Sequence, residues 1–237
     1  MKAFQLIIAG NWAHFKKPET NNNPLTHDFI TKTAFVGLIG AVLGIEREKM
    51  RPLFPILCED LCYGVQILQP VKKETWGFTM RKAVNLLEKA PKHLELLKNP
   101  KYKISLALHS ERSEGIFVQF LESIKSKHAD FTPVLGLHNC PADLSFISKG
   151  SFSEKQSGSF AAKCFVTRKH SLVLRESPQF RIGLDKIPTF QNDDFWNLPD
   201  KYIEVIYPEV SRPSEDQKIN VTGDFYEYDD GEPWCLI

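Results

Sequence analysis

Residues 31–44, TKTAFVGLIGAVLG, place Phe35, Leu38, Ile39, Val42 and Leu43 at i, i+3, i+4, i+7 and i+8, which is one face of an α-helix. Thr31 stands where an N-cap is needed, and Gly44 where the chain must turn out of the helix. Upstream, Phe4, Leu6 and Ile8 alternate along a predicted strand, Ala3 to Phe15, in which Gly10 is a candidate bulge. A strand running into an amphipathic helix has to bury both apolar surfaces against a shared layer, and this restricts the rest of the chain.

The remainder continues the pattern. Strands are expected at Leu61–Leu68 and at Tyr102–His109, where Ile104, Leu106 and Leu108 alternate. A second helix is expected from Glu114 to Lys127, with Ser113 as its cap and Phe117, Phe120, Leu121 and Ile124 at helical spacing. A fourth strand is expected at Thr132–Asn139, and the lysine-rich segment Val71–Pro100 interrupts the series as an insertion. The order β-α-β-insert-β-α-β is that of split βαβ units. It predicts an α+β, ferredoxin-like (RRM-like) domain over residues 1–145 with an inserted β-hairpin thumb at about 71–100. One face of its sheet would stay free for a ligand or a second layer. The stripe Gly37, Gly40, Ala41 and Gly44 predicts a close approach of the first helix to that sheet.

Beyond residue 145 the pattern shifts to short runs such as KCFVTRKHSLVL and YIEVIYP, so residues 146–237 read as a small β-rich unit. Its end, residues 194–237, holds 3 basic and 11 acidic side chains without the spacing of a calcium loop. It is expected to be a solvated acidic tail.

Charge is divided along the chain. Residues 1–110 carry 16 Lys/Arg against 9 Asp/Glu, whereas residues 111–237 carry 14 against 20. A polyanion is therefore expected to meet the first half. The longest apolar run, Ala34–Ile45, is too short for a bilayer, and the weakly apolar start MKAFQLIIAGNW leads straight into charged sequence, so the protein is expected in the cytoplasm with no membrane partner. Five cysteines without a CxxC pair indicate neither a zinc site nor a disulfide framework.

No phosphate loop, dinucleotide fingerprint, HExxH or GxSxG occurs, and no cofactor or metal is expected. The scattered histidines, His14, His109 and His138 among them, stand beside no acid at a pairing distance in sequence. The base-stacking signature of RNA recognition motifs is also missing. The positive signal is the stretch GNWAHFKKPETNNN, which sets Trp12, His14 and Phe15 beside Lys16 and Lys17. In the predicted fold it lies next to Lys32 and Thr33 at a helix N-terminus that favours phosphate. The insertion adds Lys72, Lys73, Arg81 and Lys82 around Trp76. Rings that stack on bases among lysines that neutralise phosphates predict an RNA-binding surface. Leu86, Leu87, Leu94, Leu96 and Leu97 are candidates for an exposed docking face on the thumb.

The segment GNWAHFKKP followed by TAFVGLIGAVLG resembles the start of the RAMP-superfamily CRISPR-associated proteins, specifically the fifth Cas family. PVLGLHNCPADL, residues 133–144, is similar to that family's segment after the fourth strand. The resemblance implies a non-catalytic subunit of a type I interference (Cascade) complex that grips the 5′ handle of the crRNA and caps the backbone filament. Its implied partners are crRNA, the Cascade backbone and large subunits, and target DNA through the assembled complex. One subtype of the family cuts precursor RNA with a Tyr/Lys/His set, and no tyrosine lies near His14 and Lys16 in sequence. The long insertion and the CPADL segment point instead to the subtype I-B branch. The alternative function is a metal-independent endoribonuclease that processes precursor guide RNA.

Overall fold

Alternating Phe4, Leu6 and Ile8 turn one face of β1 (Lys2–Ala9) inward, and all three are fully buried. The computed structural model describes residues 1–81, 89–173, 181–193, 198–209 and 217–237. β1 ends at Gly10, and β2 (Trp12–Ala13) leaves the first sheet to pair elsewhere. The predicted strand to Phe15 is thus two pieces. A Cβ on Gly10 would stand 2.7 Å from Leu135 Cδ1 and 2.9 Å from the Pro141 carbonyl, so a larger residue there would collide with the 135–141 loop.

The first helix, α1 (Lys32–Val42), begins as expected, with the Thr31 hydroxyl accepting the Ala34 N–H at 3.3 Å. Gly44, at φ +62°, closes it: Gly44 N–H bonds to the Ala41 carbonyl, and Ile45 N–H to that of Gly40. A further helix, α2 (Arg47–Asp60), was not legible, because Pro52 and Pro55 interrupt its pattern. Gly40 faces this helix, with Met50 Sδ 3.0 Å from a notional Cβ, while Gly37 faces open space. Of the small-residue stripe, Gly40 therefore serves packing between α1 and α2, and Gly44 approaches Asp130.

The next strands are β3 (Leu61–Ile67), β4 (Lys73–Arg81), β5 (Lys89–Lys98) and β6 (Lys101–Leu108). After a 3-10 turn (Glu111–Ser113) comes α3 (Glu114–Ser126), whose Phe117, Phe120, Leu121 and Ile124 are buried. Ser113 does not cap α3; its hydroxyl donates to Asp60 Oδ2 at 2.6 Å, beside a two-point contact from Arg112. The fourth strand of the sheet is β7 (Asp143–Ser151). Residues 132–139, expected as that strand, form a loop with one isolated β-bridge, between Val134 and Pro141. β7 also runs across residue 145, where the domain boundary was expected.

The sheet order is β3-β6-β1-β7 with every neighbouring pair antiparallel. α1 and α3 cover the face of Phe4, through Phe117 at 5.2 Å and Phe35 stacked on Tyr63 at 6.1 Å between ring centroids. The opposite face carries a second layer, one of the two occupants expected for it. Gln5 bonds to Ser105 at 3.0 Å within it, and at Gly64 a Cβ would meet the Cys235 carbonyl at 2.8 Å and Trp234 at 2.9 Å. The chain's last residues thus form a lid over the sheet. Ile237 also exchanges backbone hydrogen bonds with Tyr63 at the β3 edge.

The C-terminal part contains β8 (Gln156–Ala162), β9 (Val166–Thr167), β10 (Ser171–Leu172), β11 (Ile182–Phe190), β12 (Lys201–Pro208), β13 (Ile219–Glu227) and β14 (Pro233–Trp234). β13 pairs with β8, β10 and β14; β12 lies between β11 and β9. The described part of the expected acidic tail is docked. Glu232 binds Lys103 at 2.7 Å and Lys163 at 3.3 Å, and Trp234 and Cys235 are buried. The buried apolar residues of both parts form one continuous cluster. All five cysteines are free. Among the described residues, no helix is long and apolar enough to cross a membrane.

Candidate nucleic-acid interface

The insertion forms a long antiparallel hairpin, β4 with β5, whose base continues into β2 through Trp12 opposite Lys98 and Ala13 opposite Leu97. Residues 82–88 at its turn, including Lys82, Leu86 and Leu87, lie outside the described residues. Leu96 and Leu97 are buried, so they belong to the core under the hairpin and not to an exposed docking face. The exposed apolar side chains are instead Trp76, Phe78 and Met80, which alternate along β4. Trp12 packs edge-on against Trp76 at 4.7 Å between ring centroids, and Lys98 Nζ lies 5.7 Å from the centroid of the Trp12 ring. Lys72 and Arg81 are exposed at the two ends of β4.

Beyond β2 the chain meets the second motif segment. His14 N–H donates to the Leu135 carbonyl at 2.9 Å. The His14 ring is buried and its Nδ1 lies 2.7 Å from the Glu95 carbonyl. Burial pushes the imidazole below its usual pKa, and the Glu95 contact opposes this only in part. Phe15 is buried against Tyr102, with centroids 6.4 Å apart. Neither His14 nor Phe15 is a free stacking platform.

The two opening lysines have different settings. Lys16 is exposed, its backbone bridged to Thr26. Lys17 Nζ binds Asp185 Oδ1 at 2.9 Å, and His27 Nδ1 lies 2.9 Å from the other carboxylate oxygen. Burial would raise the Asp185 carboxyl, but hydrogen bonds and charge from His27 and Lys17 hold it down to about 2. A histidine-acid pair therefore exists that sequence separation concealed. Lys73 is likewise engaged, with Asp28 Oδ1 at 2.8 Å and Glu95 at 3.4 Å; Asp28 also accepts from the Tyr207 hydroxyl at 2.7 Å. Burial acts to lower the Lys73 pKa, yet the two carboxylates leave it raised. Lys17 and Lys73 are structural cations tying the opening stretch, the thumb and the C-terminal part together.

His14, Phe15, Lys16 and Thr33 do converge. They line one cleft of about 570 Å³ with Thr31 at the α1 N-terminus, Leu94 of the thumb, Gly136 and Leu137 of the second motif segment, and Gln191. Lys32 does not enter it. That side chain is buried and lines a different cavity. Gln191 and Gly136 were missed in sequence: neither residue type announces a role, and only tertiary contact brings them to Lys16. Gly136, at φ +89°, has its Cα so close to the His14 carbonyl that a Cβ would lie 1.9 Å from the oxygen. Among the described residues no group of three His, Cys, Asp or Glu is placed to hold a metal ion.

The arrangement offers a concave, partly apolar floor, a helix N-terminus, one uncommitted lysine and a hairpin with exposed rings. Such a surface suits a single-stranded polyanion that carries flat bases. The fold is similar to a CRISPR protein from Archaeoglobus fulgidus, at 13% identity and TM-score 0.62, with 100% of this chain and 99% of that one covered. It is also similar to a chain of a CRISPR RNA-guided surveillance complex, at 12% identity and TM-score 0.51, covering 90% and 95%. A third likeness is to a chain of a type III-B Cmr-beta complex bound to cognate target RNA and AMPPnP, at 8% identity and TM-score 0.50, covering 92% and 86%. No curated protein matches the sequence. The family model described as CRISPR-associated protein (Cas_Cas5) matches residues 5–108, the span from β1 through the thumb to β6. Over that span the chain is similar to the Cas5 family of CRISPR-associated proteins.

Proposed function

We propose that the protein is a non-catalytic crRNA-binding subunit of a CRISPR interference complex, which holds the 5′ handle of the guide RNA between the thumb and the Lys16 cleft. The observation that carries this reading is the convergence of Lys16 and Thr33 with Leu94 of the thumb in one cleft, beside a hairpin that exposes Trp76 and Phe78. The match of residues 5–108 to the Cas5 family model and the likeness to a chain of an RNA-guided surveillance complex support it. The strand order β3-β6-β1-β7, with α1 after β1 and α3 after β6, the first and third strands of that sheet in chain order, supports a ferredoxin-like core.

The non-catalytic reading rests on the state of the groups at the cleft. The histidine at the cleft is poorly placed for general acid-base chemistry, since His14 is buried with Nδ1 held against the Glu95 carbonyl. The deciding experiment incubates repeat RNA with the purified protein and then titrates binding against salt. Intact RNA bound with a salt-dependent affinity that falls in Lys16→Ala supports the proposal. Site-specific cleavage by the isolated protein, abolished in His14→Ala, would instead make it an endoribonuclease.

A further inference from the structure

Lys32 is the first residue of α1, yet its side chain lines a second cavity, of about 610 Å³, which shares no lining residue with the Lys16 cleft. The residue is 6% exposed and has no hydrogen-bond or ion-pair partner among the described residues. Buried ammonium groups are normally paired, because desolvation without a counter-charge is unfavourable. Burial accordingly pushes the Lys32 pKa down, with the Cys62 and Cys58 thiols opposing weakly.

The cavity's own carboxylates do not serve Lys32. Asp224 binds Lys155 at 3.2 Å, and Glu59 lies 3.3 Å from Arg112. His170 is a wall, with Nδ1 at 3.0 Å from the Thr167 carbonyl and Nε2 at 2.7 Å from that of Asp224. The rim adds cations: Lys169 is exposed and has no partner among the described residues, and Lys201 Nζ sits 4.4 Å from the centroid of the Phe190 ring. Tyr226 supplies a second, half-buried ring. Among the described residues, the Lys32 ammonium has no paired anion beneath this cationic rim. The volume far exceeds that of a single phosphate, and the aromatic walls suit a base.

The geometry points to a nucleotide-phosphate site, in which Lys32 holds the phosphate, Lys169 and Lys201 surround it, and the base lies towards Phe190 and Tyr226. The ligand is a mononucleotide, free or as the phosphorylated end of an RNA strand. This site is independent of the RNA path through the Lys16 cleft.

The test is calorimetric titration of the full chain with AMP, adenosine, and an RNA oligomer carrying either a 5′-phosphate or a 5′-hydroxyl. AMP is expected to bind saturably and adenosine not. Lys32→Met, which keeps the volume of the buried chain, should weaken AMP at least about tenfold, the loss of one charge-assisted contact. Lys169→Ala, at an exposed position, should weaken it about threefold while leaving the fold intact. Preference for the 5′-phosphorylated oligomer over the 5′-hydroxyl one supports the strand end as source; equal binding of the two alongside saturable AMP supports a free nucleotide. Absence of saturable AMP binding, or AMP affinity unchanged in both variants, overturns the proposal whether or not the Lys16 cleft binds RNA.

Discussion

The backbone N–H of His14 donates to the carbonyl of Leu135 at 2.9 Å, joining two segments that lie far apart in sequence. The two stretches that resemble the Cas family, GNWAHFKKP and PVLGLHNCPADL, thereby form one wall of the candidate RNA cleft. Gly136 makes that approach possible. Gly136→Ala puts a Cβ 1.9 Å from the His14 carbonyl oxygen at a φ of +89°. The expected cost is at least about 2 kcal/mol of stability, read from chemical denaturation. A change below about 0.5 kcal/mol would show that the 135–141 loop yields freely and that the cleft wall is not rigid.

Lys16 and Lys17 should behave as opposites although they are adjacent. Lys16→Ala should flatten the slope of log K against log salt for single-stranded RNA by about 0.7 with unchanged stability. Lys17→Ala leaves Asp185 with His27 and the Lys186 backbone N–H but without a lysine counter-charge, so its main effect should be on thermal stability, with the slope preserved. Reversed results would place the RNA on the Asp185 side.

The acid limb of stability should carry the mark of Asp185. Its carboxyl is held at about 2 against the usual 3.8, so the folded state binds this proton less readily than the unfolded chain. The resulting stabilisation, on the order of 2 kcal/mol, is complete above about pH 4 and disappears as pH falls towards 2. Asp185→Asn should be less stable at neutral pH and show a shallower decline between pH 4 and 2. Parallel curves for variant and parent would indicate that the His27 and Lys17 contacts do not hold in solution.

Trp76 tests the thumb. It is 43% exposed and touches Trp12 edge-on, so Trp76→Ala should cost little stability. RNA affinity is expected to fall by roughly 1–3 kcal/mol, the value of a base stacked on a ring, with the salt slope unaltered. Unchanged affinity would remove the exposed face of β4 from the RNA path.

Local regularity was legible in the sequence. The helical spacing of Phe35, Leu38, Ile39 and Val42, the Thr31 cap and the Gly44 stop all appear in α1, and the lysine-rich insertion is a hairpin. These features depend on neighbours within a few residues. α2 was obscured because Pro52 and Pro55 read as helix breakers, although the packing of Met50, Phe54 and Leu57 holds the helix regardless. The fourth strand was misplaced to 132–139 because both that stretch and 143–151 are short and weakly patterned; β7 pairs along its whole length with β1 and takes the position.

The sequence by itself determined where strands and helices could form and which half of the chain could attract a polyanion, since periodicity and charge are properties of the chain. Tertiary structure alone decided which cations remained available. A lysine's role depends on what lies within a few ångströms of its Nζ, and Asp185 reaches Lys17 from 168 residues away. Asp28 and Glu95 close on Lys73, Lys32 turns into its own cavity, and Lys16 remains exposed at the cleft. Side-chain direction and long-range pairing follow from how layers pack, and no local pattern encodes them.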